Sequence, residues 1–114
     1  MNILALTEWL GAGGVPVPGE EAQRRADICL TCPLNRTDVN LWDKAKGAVA
    51  ESIRDQLEVK HQMEIYTHNE TQLGICEACG CVLKLKVHVP LPHILNHTPD
   101  LQKFDKCCWI RDKA

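Results

Sequence analysis

Large side chains are scarce in this sequence: aromatics are limited to three Trp, one Tyr and one Phe, so few of the anchors that dominate core energetics are present. At 114 residues the chain fits one domain with a modest core, and a structural metal is a usual supplement for a core this thin. No apolar run approaches the roughly 20 residues of a membrane span, which predicts no membrane partner. The opening Met1-Asn2-Ile3-Leu4-Ala5-Leu6-Thr7-Glu8-Trp9 has no basic n-region and too short an apolar run for a signal peptide, so a reducing, cytoplasmic setting is expected. Strong charge of one sign is also missing. The net charge is −2, with 7 basic and 12 acidic groups in residues 1–81 against 6 and 3 in residues 82–114. That +3 excess at the end permits nucleic acid without predicting it, because duplex DNA binders are far more basic.

Cysteine is what the chain does have. Seven Cys, an odd number, fall in three clusters: Cys29-Leu30-Thr31-Cys32-Pro33, Cys76-Glu77-Ala78-Cys79-Gly80-Cys81 and Cys107-Cys108-Trp109. In a reducing compartment, paired C-x-x-C turns read as metal or redox sites before they read as disulfides. A tetrahedral Zn2+ site takes four deprotonated ligands at about 2.0 to 2.3 Å, and a C-x-x-C turn lets two sulfurs from one tight loop reach the same ion. Cys29 with Cys32 and Cys76 with Cys79 make the simplest four-thiolate set, with Gly80 where a knuckle commonly needs positive φ. The 43 residues between Cys32 and Cys76 are long for a compact ribbon and would hold a helix as an insertion. Cys81, Cys107 and Cys108 are then buried small hydrophobes, replacements within the first set, or parts of a second site completed by two of His88, His93 and His97. One zinc is the preferred reading. A second zinc or an iron–sulfur cluster uses the same thiolates and stays open.

In chain order, Ile3, Leu6 and Leu10 share a helical stripe over residues 3–10, which Gly11-Ala12-Gly13-Gly14 stops. Val15-Pro16-Val17-Pro18 reads as a semi-rigid strap. A helix over about residues 20–28, with Glu20 and Glu21 four residues ahead of Arg24 and Arg25, delivers Cys29. Thr37, Asp38 and Asn40 are N-cap candidates for the longest periodic run, Trp42, Ala45, Val49, Ile53 and Leu57, which predicts a helix over about 41–60. That helix reads first as a core element with a solvated charged face. Met63, Ile65 and Thr67 alternate with polar neighbours and suggest a short strand. It would pair with 82–89, where Leu83, Leu85, Val87 and Val89 face one way and Lys84, Lys86 and His88 the other. Pro90 and Pro92 end that strand. Pro92 suits the start of a short helix through His93-Ile94-Leu95, and Thr98-Pro99-Asp100 starts a turn.

Catalysis finds little support. Thioredoxin-type redox chemistry needs a βαβ unit that the pattern lacks. Glu77 and His88 fit neither the H-x-E with P-C-x-x-C spacing of deaminases nor the H-E-x-x-H of metalloproteases. Lys84, Lys86 and Arg111 could contact phosphates, with Trp109 or Tyr66 stacking on a base, although basic residues alternating with core residues are also what any exposed strand shows.

The motifs R-A-x-I-C-x-x-C-P from Arg25, C-x-x-C-x-C-x-L-K-L-K from Cys76 and the terminal Cys108-Trp109 together resemble small cysteine-rich proteins of tailed bacteriophages and prophages, a group without an established activity. The resemblance runs from Trp9 to Ile110. It implies zinc binding, a phage protein acting in the cytoplasm of a bacterial host or carried in the virion, and Cys108 as the ligand with Cys107 as the extra thiol. The sequence thus predicts an α+β fold: a small zinc-stabilised domain, residues 1–114, with a long amphipathic helix inserted between two Cys knuckles and a short antiparallel β-ribbon. Residues 1–19 form the N-terminal helix and strap, and residues 20–110 the metal-held core. The candidate ligands are Cys29, Cys32, Cys76, Cys79, Cys81 and Cys108. The expected function is a non-enzymatic module that binds a host or phage protein, with a nucleic-acid-binding zinc ribbon and a structural virion component as alternatives.

Overall fold

The computed structural model describes residues 3–38, 40–78, 80–96, 101–105 and 108–112, without the side chains of 3–5, 101, 111 and 112. Cys79, His97, Cys107 and the turn expected at Thr98-Pro99-Asp100 lie outside the described residues. The result is a small compact α+β domain with a Cα radius of gyration of 12.9 Å, close to the value of about 13 Å expected for a compact chain of this length.

Helix α1, Ile3–Gly11, buries Leu6 and Trp9 and packs on the long helix Leu41–His61. Its C-terminus unwinds through Gly13 and Gly14, both at positive φ. A Cβ on Gly14 would lie 2.8 Å from Leu57 Cδ2, so glycine there serves both the turn and the close approach. Lys60 Nζ donates to the Gly13 carbonyl at 3.0 Å, and His61 Nε2 lies 3.2 Å from the Gly14 carbonyl, which ties the two helix ends together.

Helix α2, Gly19–Leu30, has Glu20 and Glu21 in its first turn and buries Ala22, Arg25, Ala26 and Cys29, the i, i+3, i+4, i+7 face of an amphipathic helix. Glu21 takes both arginines, at 2.7 Å from Arg24 Nη2 and 3.1 Å from Arg25 Nε. The hydrogen bond from Arg24 is the main reason its carboxyl titrates near 2.

Helix α3 spans Leu41–His61 and begins with a reciprocal capping box between Asn40 and Asp43, as the sequence suggested for Asn40. Its buried face, Asp43, Ala50, Ile53 and Leu57, differs from the predicted stripe. Trp42 is 66% exposed and Val49 38%, so the stripe holds only from Ile53 onward. In the first half the inward positions are instead Asp43, which is buried in a 2.8 Å salt bridge to Arg36, and Ala50.

The sheet has two short antiparallel strands, β1, Asn35–Arg36, and β2, Ile75–Cys76, with Asn35 opposite Cys76 and Arg36 opposite Ile75. Gly74 is needed for this approach, since a Cβ there would sit 1.9 Å from the Arg36 carbonyl oxygen. Two expected strands are corrected. Residues 63–67 form no strand, although Ile65 and Thr67 are buried. Of residues 82–89, Val82 makes only an isolated antiparallel bridge to Ile75, and the rest form one helical turn, α4, Leu83–Lys86, followed by further turns. Leu-Lys-Leu-Lys lacks β-branched residues and is made of good helix formers, so alternation alone misread it. Leu83, Leu85, Val87 and Val89 are buried as expected, but so are Lys86 and His88, while Lys84 is partly exposed. Helix α5, Leu91–Asn96, starts at the prolines as predicted. Helix α6, Trp109–Asp112, returns Trp109 and Ile110 to the core at 1% and 0% exposure. Among the described residues no helix is long and apolar enough to cross a membrane.

Candidate metal centre

Three separated segments meet at the cysteines. The buried face of α2 ends at Cys29, after which tight turns, Cys32 N–H to the Cys29 carbonyl at 3.1 Å and Asn35 N–H to the Cys32 carbonyl at 3.1 Å, carry the chain past Pro33 into β1. The β1–β2 pairing then places Asn35 beside Cys76, and Glu77 N–H donates to the Leu34 carbonyl at 2.9 Å. The second knuckle turns at Gly80, φ 73°, whose N–H donates to the Cys76 carbonyl at 2.7 Å. Lys46 Nζ of α3 holds the Gly80 carbonyl at 3.2 Å. Cys108 arrives from the C-terminal segment just ahead of α6.

Cys29, Cys32, Cys76 and Cys108 line one enclosed cavity of about 10 Å³, together with Lys86, Phe104 and Trp109. That is about the space of a single water-sized centre. Cys29, Cys76 and Cys108 are buried, Cys32 is half-buried, and these four and Cys81 are all free thiols. The thiols share a cavity rather than a coordination shell: among the described residues, no three His, Cys, Asp or Glu side chains are grouped closely enough to hold an ion. Cys81 is buried but does not line the cavity. Its carbonyl instead accepts the Cys76 N–H at 3.0 Å.

The surroundings are unusual for a small core. Trp109 Nε1 donates to Cys29 Sγ at 3.3 Å. The Arg25 guanidinium lies over the same indole, 4.4 Å from the ring centroid, and donates to the Val89 carbonyl at 2.7 Å. Lys86, 2% exposed, has Nζ 4.6 Å from the Phe104 centroid and 5.7 Å from the Trp109 centroid. Burial pushes the Cys29 thiol up to about 11. The Trp109 N–H and the Lys86 ammonium oppose that rise, while Cys108 and Cys32 add to it.

The expected basic face does not form. Lys84 pairs with Glu51 of α3, Lys86 points into the core, and the Arg111 side chain is outside the described residues. For a second metal, His88 is buried and His93 half-buried; neither lines the cysteine cavity. The sequence reading missed Arg25 and Lys86 as parts of the centre. Arg25 carried a signal, since it stands four residues before Cys29 on one helical face with Ala22 and Ala26. Lys86 carried none, because lysine is ordinarily a surface residue.

In comparison with known proteins, no family model, no curated protein and no solved structure matches the chain.

Proposed function

We propose that the chain is a non-enzymatic protein-binding module held together by one Zn2+ on Cys29, Cys32, Cys76 and Cys108. The observation that carries this reading is the convergence of those four thiols, from three segments, on one closed cavity. Four protein ligands leave no open coordination position, the arrangement of a structural rather than a catalytic zinc. When bound, the ion would cross-link α2, β2 and the C-terminal segment, and its binding energy would add to folding.

The binding surface in this reading is the first half of α3. Leu41 and Trp42 are 84% and 66% exposed, and the next residues of the helix, Asp43 and Lys44, line an open groove of about 350 Å³ between α3 and residues 71–84. Large exposed apolar side chains in a group mark interaction sites. By the resemblance drawn from the sequence, the partner is a host or phage protein in the bacterial cytoplasm. The nucleic-acid alternative is weaker, because Lys84 is paired and Lys86 is inside. Affinity capture from bacterial lysate with the zinc-loaded chain tests the reading. A partner retained at high salt and lost with Trp42→Ser supports it, and retention that depends on DNA and falls steeply with salt contradicts it.

A further inference from the structure

We propose that the outward face of α3 is a dimerisation seam, on which a second copy of this chain lays the same helix in parallel. Trp42, Ala45, Val49, Ser52, Gln56 and Val59 follow one another at spacings of three, four, three, four and three, the alternation that keeps a stripe facing a partner helix. The core takes a different side of the helix, Asp43, Ala50, Ile53 and Leu57. Trp42, Val49 and Val59 are 66%, 38% and 80% exposed, and Ala45, Ser52 and Gln56 are exposed with them. None of the six is charged, although Asp, Glu, Lys and Arg make up eight of the 21 residues of α3. A seam this short is marginal for a free coiled coil. Here the fold already forms the helix, so pairing carries no nucleation cost. The seam shares Trp42 with the partner surface proposed above, contains none of the residues that line the groove, and does not depend on a metal.

The residues beside the seam point to a second copy as the occupant. In a parallel pair, the residue just before one seam position faces the residue five further along the other helix. That sets Asp55 of each copy against Lys60 of the other. Antiparallel pairing would instead turn the edge that carries Lys46 and Lys60 toward the same edge of its partner. Asp55 is the one acid of α3 without a partner among the described residues, since Asp43 pairs with Arg36, Glu51 with Lys84 and Glu58 with Arg54. Lys60 donates to the Gly13 carbonyl and keeps further N–H donors for a carboxylate. Gln56 would meet Gln56 of the second copy, where each amide can both donate and accept. A single polar residue at such a position fixes the register of a parallel pair. Ala45 and Ser52 let the two helices come close, and Trp42, Val49 and Val59 supply the apolar contact.

Sedimentation equilibrium of the full chain over a range of concentrations tests this, with circular dichroism to check that each variant is folded. Wild type should pass from monomer to dimer mass as concentration rises. Val59→Asp and Asp55→Lys should each weaken association by about tenfold or more. The loss in Asp55→Lys should shrink as salt screens the like charges, and exchanging both charges, Asp55→Lys with Lys60→Glu, should recover most of the affinity. Should Val59→Asp fail to fold, Ala45→Glu puts a charge at another exposed seam position. A wild-type monomer at every concentration overturns the proposal, and so does a dimer indifferent to the seam charge. An Asp55→Lys protein that associates as well as wild type, or whose loss salt does not relieve, overturns the parallel arrangement. None of these outcomes bears on the partner surface proposed above: a captured protein lost with Trp42→Ser and kept with Val59→Asp belongs to that surface, and failure to capture one leaves the mass of the purified chain unchanged.

Discussion

The cysteine cavity, about 10 Å³, and the groove beside the first half of α3, about 350 Å³, are built in opposite ways. The first is closed, and its four cysteines share it with Lys86, Phe104 and Trp109. The second is open. Small residues Gly47, Ala48 and Gly74 line it beside Thr37, Asp43, Lys44 and Thr71, its Lys84 and Glu51 already pair, and Leu41 and Trp42 stand exposed at the start of the same helix. In the proposed reading, the first holds the fold together and the second is what it offers to a partner.

Removing a ligand should have the largest effect on this contrast. Cys29→Ser and Cys108→Ser are expected to abolish tight zinc binding and cooperative unfolding, since structural zinc contributes roughly 10 to 16 kcal/mol in zinc-finger peptides. Cys81→Ser, outside the cavity, should keep the metal. Zinc content and circular dichroism of the three proteins decide this, and a fold unchanged after verified metal removal would sink it.

Gly74→Ala tests the scaffold rather than the ligands. Its Cβ would collide with the Arg36 carbonyl, so the β1–β2 pairing that places Cys76 near the first knuckle must shift, at a cost of about 3 kcal/mol. Denaturant unfolding measures this, and a cost under about 1 kcal/mol would show that the two strands are free to adjust.

Acid supplies the next test. Burial, with Arg54 and Arg25 adding to it, lowers the His88 pKa from 6.5 to about 4, and its Nε2 is buried with no hydrogen-bond partner among the described residues. The folded pKa lies below the unfolded one, so the unfolded chain takes up the proton first as pH falls. The stability held above pH 6.5 is therefore lost progressively down to about pH 4, by about 3 kcal/mol in total. His88→Gln should flatten this part of the pH profile when compared with wild type at the same metal content. An unchanged slope would assign the acid sensitivity to other groups.

Trp42→Ser marks the smallest expected change in stability, within about 0.5 kcal/mol for so exposed a position, yet it should remove the captured partner. A large loss of stability would mean that Trp42 belongs to the core and not to a docking face.

Much of the helical framework was legible in the sequence because local chemistry specified it: the glycines after α1, the acids opening α2 and the Asn40 cap of α3 all act within a few residues. The failures came where distant contacts outweighed local pattern. The stripe of α3 was misplaced in its first half, where Asp43 is buried in its salt bridge to Arg36. The alternation of residues 82–89 suggested a strand with one wet face, but Lys86 and His88 went in with the leucines and valines, leaving Lys84 partly exposed. At the centre, the cysteine clusters were readable from spacing, whereas the particular set around the cavity, and Lys86 among them, depended on strand register and on the return of Trp109, which no local pattern encodes.

Zinc K-edge X-ray absorption on the purified protein tests the central claim most directly. One zinc per chain with four sulfur neighbours at about 2.3 Å is the predicted result. Nitrogen or oxygen neighbours in place of sulfur, or a folded protein that retains no zinc, would contradict it.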